Sequence, residues 1–581
     1  MSISVTPEIN TQIIISLLKH HKINKIVASP GNTNIALIGS LQNDPYFTIY
    51  SSVDERSASY LACGLSEESG EPVVLSCTGA TASRNYVPGL TEAYYRKLPV
   101  LAITSTQNTA RVGHLIAQVI DRSVIQNDIA NFSVELPIVN TSEEKWDCEI
   151  KANKAFLELS RRGGGPVHIN LPTEYKLPFT NEIIPKYKII ERLTLKDDFP
   201  NLTGKIAIFI GSHKKFSEEE TNIIEEFCEK NNAVVFCDHT SGYYGKYKLH
   251  FALVASQDSM SIDTYIPDIT IHIGEVSGDY PSLRLAGRQV WRVNEDGEIR
   301  DTFKKLRYVF EMEPCDFFAK YKGKENGKNN NHYYDLCNDK LKDIRCNFPD
   351  VPFSNIWVAS KLSPYLPSNS VVHFGILNSL RAWNLFELPD GVMSNSNVGG
   401  FGIDGVLSSC IGASLSSKEK PYFCILGDLA FFYDINSLGN KHIGNNLRIL
   451  IVNNGKGTEF RNYNHHAAYF SDEIADKYIA SAGHFGNKSK SLVKDFSSSL
   501  GFEYISAQNK DEFNQKYKKF IDCSVMNKPI VFEIFTDSNE ESLALKLAHE
   551  IKSDRSQTLK NKAKRILGKE KIQLIKKVIK K

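Results

Sequence analysis

Short apolar runs alternate with helix-period segments along almost the whole chain, and no other feature narrows its fold as far. An apolar run followed by an amphipathic helix packs best as a strand covered on both faces, which is the arrangement of parallel sheets in α/β proteins. The first series predicts strands over residues 25–28, 47–51, 73–77 and 100–104, with helices from about Pro7, from about Glu55 and around 86–95. A second series predicts strands over 206–210, 233–237 and 269–273, and a third over 371–374, 422–426, 447–452 and 530–535. Ligands of such sheets sit beyond the carboxyl ends of strands, so Ser29, Asp54, Thr78 and Ser105 are expected on one rim.

With 581 residues the chain is too long for one core, and three α/β units separated at 174–203 and 322–331 account for most of it. The expected division is 1–185, 190–335 and 350–545, followed by a basic tail over 552–581. The second unit shows no dense group of titratable residues at its strand ends and is expected to be a spacer. The net charge of +2 conceals an asymmetry: residues 555–581 hold eleven Lys/Arg and one acid, about +10, leaving about −8 for the rest. In that tail Ile572, Ile575 and Ile579 fall on one helical face among lysines, a pattern that offers peripheral contact with an anionic membrane or an acidic partner. The alternative there is a frayed, solvated terminal helix. The eleven cysteines form no CxxC pair, and the first residues lack a signal-peptide pattern, so a cytoplasmic protein is expected. No nucleic-acid partner is expected.

Chemistry concentrates where the third series ends its strands. Gly427-Asp428-Leu429 follows one strand and Asn453-Asn454-Gly455-Lys456-Gly457 follows the next, so Asp428 and Asn454 reach the same edge. Their oxygens, with a main-chain carbonyl near Lys456, form a hard-donor set for Mg²⁺ or Ca²⁺ that leaves positions for diphosphate oxygens and water. By itself this pattern is more often a strand-end turn. Glu55, in Val53-Asp54-Glu55-Arg56-Ser57, opens a helix, where a carboxylate either meets a ligand or merely favours the helix dipole.

Taken together, these segments resemble thiamine diphosphate enzymes, and among them the menaquinone-branch family of 2-succinyl-5-enolpyruvyl-6-hydroxy-3-cyclohexene-1-carboxylate synthases. The resemblance rests on SPGN at 29–32, VDERSA at 53–58, CTGATA from Cys77 and EAYYRKLPVLAIT from Glu92. It continues through Gln118 with Ile120-Asp121, NSL at 378–380, GIDG at 402–405, and GDLAFFYDIN through VNN. It covers about residues 1–545. It implies three doubly wound parallel-sheet domains: pyrimidine-binding, central, and diphosphate-binding. The cofactor would lie between the first domain of one subunit and the third of another, in a homodimer or tetramer. It further implies thiamine diphosphate and Mg²⁺, with Glu55 bonded to the aminopyrimidine ring and Ile403 wedging the cofactor into its bent shape. Asn378, Ser379, Gly402, Gly427, Leu429 and Gly455 would line the cofactor, Asp428, Asn454 and the Lys456 carbonyl would hold the metal, and Gln118 would act beside Glu55 in catalysis. The distance from Asp428 to Asn454 is one residue shorter than in that family, which leaves the third ligand open.

The chain departs from that family where the family places arginines for its carboxylate substrates. Thr33, Gln107, Trp383 and Val398 stand in those positions, with Arg111 and Arg381 nearby as partial compensation. Losing four guanidinium groups removes the bidentate partners that several carboxylates demand. The expected reaction is therefore decarboxylation of a 2-oxo acid such as pyruvate, with carboligation to a sugar-like carbonyl in surface polysaccharide synthesis. Thr33, Gln107, His114, Trp383 and Val398 are the expected substrate residues, although a loop histidine such as His114 is more often merely exposed. The alternatives are the menaquinone synthase itself, a simple 2-oxo acid decarboxylase, a cofactor-binding relative without activity, and an acetolactate-synthase-like flavoprotein.

Overall fold

The computed structural model describes residues 4–181, 183–258, 260–322, 332–483 and 489–551; the basic tail expected over 552–581 lies outside them. Two compact units emerge, one of Met1–Lys196 with Gly297–Glu311, the other of Asp197–Asp296 with Met312 onward. They carry three mainly parallel α/β sheets, as the alternation predicts.

In the first unit six parallel strands lie in the order Thr48–Ser51, Lys25–Ala28, Val73–Thr78, Val100–Gln107, Val167–Thr173, Phe132–Glu135. Successive residues of a strand face opposite sides of the sheet. Ile26, Val74 and Leu101 accordingly join one core with helices Ile9–His20 and Ser142–Glu158, through Ile13, Leu17, Ala152 and Phe156. Their neighbours Val27, Leu75 and Ala102 join another with helices Glu55–Ser69 and Val87–Arg96, through Ala58, Ala62, Leu90 and Ala93. The helix expected near Glu55 begins there because Asp54 caps it, accepting the Ser57 N–H at 3.0 Å.

Residues 174–203, expected as a linker, contain paired structure. Thr180–Asn181 runs antiparallel to Ser4–Val5, and Glu191–Leu193 runs parallel to Leu306–Glu311. Strands of two or three residues are too short to show periodicity, so the sequence does not announce them.

The second unit holds two parallel sheets. In one the order is Lys248–Leu249, Ala233–Phe236, Ile206–Ile210, Ile269–Ile273, Gln289–Asn294. The other runs Met393–Ser396, Val371–Phe374, Tyr422–Gly427, Leu447–Asn453, Ile530–Phe535, Glu503–Ala507. Counting each six-stranded sheet from its own first strand, this sheet and that of the first unit share the order 2-1-3-4-6-5. One topology has been used twice, which the sequence shows only as a common alternation.

The central segment, expected to be a spacer, carries two buried carboxylates beyond its strand ends. Asp238, just beyond Ala233–Phe236, accepts from the Thr240 N–H and hydroxyl at 2.6 Å and from the Ser277 hydroxyl and Gly278 N–H at 2.9 Å. Burial, reinforced by the Asp238 charge, pushes the Asp279 carboxyl up to about 7. These groups come from two strand ends separated in sequence by some forty residues, so only folding assembles them.

Helices Glu55–Ser69 and Val87–Arg96 approach so closely that a Cβ on Gly89 would lie 2.8 Å from the Ser59 carbonyl carbon. Overpacking of this kind costs about 2 kcal/mol. Gly89→Ala is therefore expected to lower stability by that amount in denaturant melts, and a variant as stable as wild type would refute the close contact.

Candidate functional site

Parallel pairing sets Gly427 opposite Val452, so the turns that follow meet side by side. The Asp428 carboxylate bridges them: Oδ1 accepts from the Leu429 N–H at 2.9 Å and Oδ2 from the Gly455 N–H at 2.8 Å. Gly455 has φ +79°, a left-handed conformation that glycine adopts without strain and that turns its N–H toward Asp428. Asp428 is buried, whereas Leu429 and Gly427 are half-buried.

The two asparagines that follow have different partners. Asn453 donates to Glu533 Oε1 at 2.7 Å, while Asn454 presents a buried Oδ1 that meets no donor among the described residues. A buried acceptor without a donor calls for a water or a cation. Its neighbour Asp428 supplies the negative charge, and together they form the hard-oxygen donor set that suits Mg²⁺. Among the described residues no group of three or more His, Cys, Asp or Glu could hold a metal, so any ion here would rely on the amide, main-chain or ligand oxygens. The Lys456 carbonyl accepts from the Thr458 N–H at 2.9 Å and retains a second lone pair; its ammonium pairs with Asp476 at 2.6 Å.

Other expected cofactor residues surround this edge. Asn378 and Ser379 open the helix Asn378–Trp383 beyond the strand Val371–Phe374, and the Asn378 amide lies against Asn462 and Glu459. Ile403 is half-buried against the core of this sheet, next to the exposed Gly402.

The same helix borders a cavity of about 420 Å³, lined by Arg381, Asn384, Tyr280, Asp279, Glu459 and Glu541 among others. Arg381 is paired with Glu459, and its guanidinium carbon sits 5.3 Å from the Tyr280 ring centre. Two expected substrate residues are not part of that lining. Trp383 is fully buried with its ring against Phe374, and Val398 is buried where a Cβ on Gly278 would meet it. Both are core residues, a correction that follows from the helix turning Arg381, Ala382 and Asn384 toward the cavity instead.

The first unit holds the remaining expected residues. Glu55 is half-exposed and accepts from the Asn85 amide at 3.3 Å. Thr33 is buried, its hydroxyl bonded to Thr78 and donating to the Ser105 carbonyl at 2.8 Å. It therefore ties strand ends together, which corrects the expectation of a hydroxyl available to substrate. Gln107 accepts from Arg111 Nη1 at 2.6 Å, so these two side chains are occupied with each other. His114 and Gln118 are exposed, and Gln118 adopts φ +64°, which is uncommon for a residue with a side chain.

Sequence reasoning passed over Glu541 and Arg122. Glu541 accepts from the Asn355 N–H at 3.0 Å and from the Thr536 hydroxyl at 2.8 Å. Its burial shows only in the fold, since a glutamate in a polar helix turn reads as surface.

Comparison with known proteins bears on these placements. The thiamine pyrophosphate enzyme N-terminal TPP-binding domain matches residues 10–133. Over 567 residues the chain is 30% identical to a 2-succinyl-5-enolpyruvyl-6-hydroxy-3-cyclohexene-1-carboxylate synthase of Bacteroides fragilis, covering 93% of this chain and 98% of that one. The synthase of the same name from Phocaeicola vulgatus is 31% identical over 555 residues, covering 92% and 96%. That of Flavobacterium psychrophilum is 28% identical over 569 residues, covering 92% and 97%.

Burial pushes the Glu541 carboxyl up to about 7, with help from Glu540 and Asp428 and against the bonds from Thr536 and Asn355. The folded chain thus keeps this proton to higher pH than the unfolded chain. Its contribution to stability is complete below the unfolded carboxylate's pKa and is lost as pH rises through about 7. That loss amounts to about 3 kcal/mol. Glu541→Gln imitates the protonated acid, so denaturant melts between pH 5 and 8 should show a flatter pH dependence, with near wild-type stability at pH 5. An unchanged pH dependence would exclude Glu541 as the titrating group.

Proposed function

Because the chain belongs to the family of thiamine pyrophosphate enzymes that contains these synthases, we propose that it decarboxylates a 2-oxo acid and joins the acyl fragment to a hydroxylated carbonyl acceptor. When bound, thiamine diphosphate supplies the electron sink for losing CO₂ and makes the acyl carbon nucleophilic. The observation that carries the reading is the buried Asn454 oxygen, without a donor among the described residues, in the turn whose Gly455 N–H anchors the Asp428 carboxylate. Asp428 and Asn454, with the Lys456 carbonyl, would hold Mg²⁺, whose charge would offset that of the diphosphate. Asn378, Ser379, Gly402, Gly427, Leu429 and Gly455 would line the cofactor, with Ile403 as its apolar support. Glu55 moves a proton at the pyrimidine ring, steadied by Asn85, and Gln118 orients the substrate.

Glu55 belongs in this reading to a site completed by a second copy of the chain. The exposed apolar residues Val53, Tyr60 and Leu61 around it support a homodimer, since burying them offsets the loss of freedom on association. Cytoplasm is the compartment in this reading, and among the described residues no helix is long and apolar enough to cross a membrane.

A sugar-like acceptor, with a place in surface polysaccharide synthesis, is supported by the condition of the two nearby arginines. Arg381 is neutralised by Glu459, and Arg111 is engaged by Gln107. A substrate carboxylate would have to displace Glu459 to reach Arg381, whereas Arg111 bonds a neutral amide and keeps its charge; a neutral polyhydroxylated molecule requires neither. The relatives' names favour a second reading, in which this chain makes 2-succinyl-5-enolpyruvyl-6-hydroxy-3-cyclohexene-1-carboxylate itself. The succinyl group of that product demands a dicarboxylate donor.

Purified protein with thiamine diphosphate, Mg²⁺ and a panel of mono- and dicarboxylate 2-oxo acids is expected to release CO₂ from a monocarboxylate, faster when a sugar aldehyde or ketone is added. Release from dicarboxylates alone would favour the second reading, and silence across the panel would overturn both. Glu55→Gln is expected to lower kcat by about 10²–10⁴-fold while leaving cofactor affinity, measured by calorimetry, close to wild type. A fully active variant would remove Glu55 from the proposed chemistry.

A further inference from the structure

Arg122 closes the exposed loop that carries His114 and Gln118, and its guanidinium is folded into the first unit with only 7% of the residue exposed. One nitrogen, Nη2, donates to the Asn170 side-chain Oδ1. The other two, Nε and Nη1, are buried and meet no acceptor among the described residues. Asn170 passes its own amide to Glu135 Oε2 at 3.0 Å, so the nearest carboxylate is reached through a neutral side chain and also accepts from Thr109. Burial lowers the Arg122 pKa to about 10, which still leaves it charged at neutral pH.

Beside this cation lies a cavity of about 30 Å³, lined by Arg122, Arg84, Ser83, Thr104, His168, Gln126 and apolar residues. No acid lines it among the described residues; the second cation of the lining, Arg84, is exposed to solvent and donates to the Asp121 main-chain oxygen at 3.2 Å. His168 brings no third, because burial holds its pKa down to about 3 while Thr104 and Ser133 bond its two ring nitrogens at 2.7 and 2.9 Å. The volume is enough for one water-sized occupant. Water would satisfy one or two donors but not the charge, and an isolated buried charge is strongly destabilising.

We propose that the cavity beside Arg122 binds one small inorganic monoanion of chloride size. The anion takes the Nε–H and Nη1–H donors that the described residues leave open, and it offsets the buried charge of Arg122. By fixing Arg122 it also fixes the base of the loop bearing His114 and Gln118.

The test uses the full chain, exchanged into sodium gluconate, whose anion is too large for the cavity, and titrated with sodium bromide at constant ionic strength. Bromide at ten times its Kd is expected to raise the Tm by about 1 °C in a saturable manner. Crystals grown in bromide should give an anomalous peak within hydrogen-bond distance of Arg122 Nε or Nη1. Arg122→Gln is expected to lose the bromide response. If that variant does not fold, the wild-type titration and the anomalous map decide alone. Equal stability in gluconate and bromide, or a cavity holding water only, would overturn the proposal.

Discussion

The Asp428 carboxylate is the join on which the rest of the site depends. It takes one main-chain N–H from its own helix start and another from the turn beyond the neighbouring strand, at 2.9 and 2.8 Å. Two turns that the chain separates by a helix and a strand are thereby locked in one arrangement. The lock requires a left-handed residue at position 455, and glycine provides it. Asn454 is then held with its oxygen at the same edge, while Asn453 is turned away toward Glu533.

Parallel pairing explains why the same edge recurs. Both six-stranded sheets have the order 2-1-3-4-6-5, so each has its reversal of winding next to its first strand. Crevices open at such reversals, beyond the carboxyl ends of the strands. In the first unit that rim carries Ser29, Thr33, Thr78 and Gln107, and in the second it carries Asn378, Asp428 and Asn454. The sheet between them in sequence contributes too, since Asp238 organises the Ser277–Gly278 turn, next to Asp279 and Tyr280 of the 420 Å³ cavity.

Which face of a helix a residue occupies is harder to read from sequence than which residues end a strand, and the reason is geometric. A cofactor motif consists of short-range features: a strand end, a glycine, an adjacent oxygen ligand. Whether Trp383 or its helix neighbour Arg381 faces a cavity depends on how the helix is rotated against distant segments. Phe374 claims the indole, and Tyr280 and Glu459 claim the guanidinium. Thr33 is similar: its type suits a ligand, yet Thr78 and the Ser105 carbonyl consume its hydroxyl. Arg122 and Glu541 illustrate the converse, charged residues that the sequence marks as surface and the fold buries.

By itself the sequence determined the alternation, and with it the parallel sheets, about half of the strands, and the arrival of Asp428 and Asn454 at one edge; it did not announce such strands as Val167–Thr173, Gln289–Asn294 or Glu503–Ala507. These follow from local hydrophobic period and from turn chemistry, which act over a few residues. Only the tertiary structure decided the cluster around Asp238, the burial of Trp383 and Val398, the neutralisation of Arg381, and the open donors of Arg122. Each depends on desolvation and on partners drawn from remote parts of the chain, and no local pattern encodes either. The join at Asp428 stands on both sides of that division, legible as a motif and fixed as a geometry only when Gly455 closes against it.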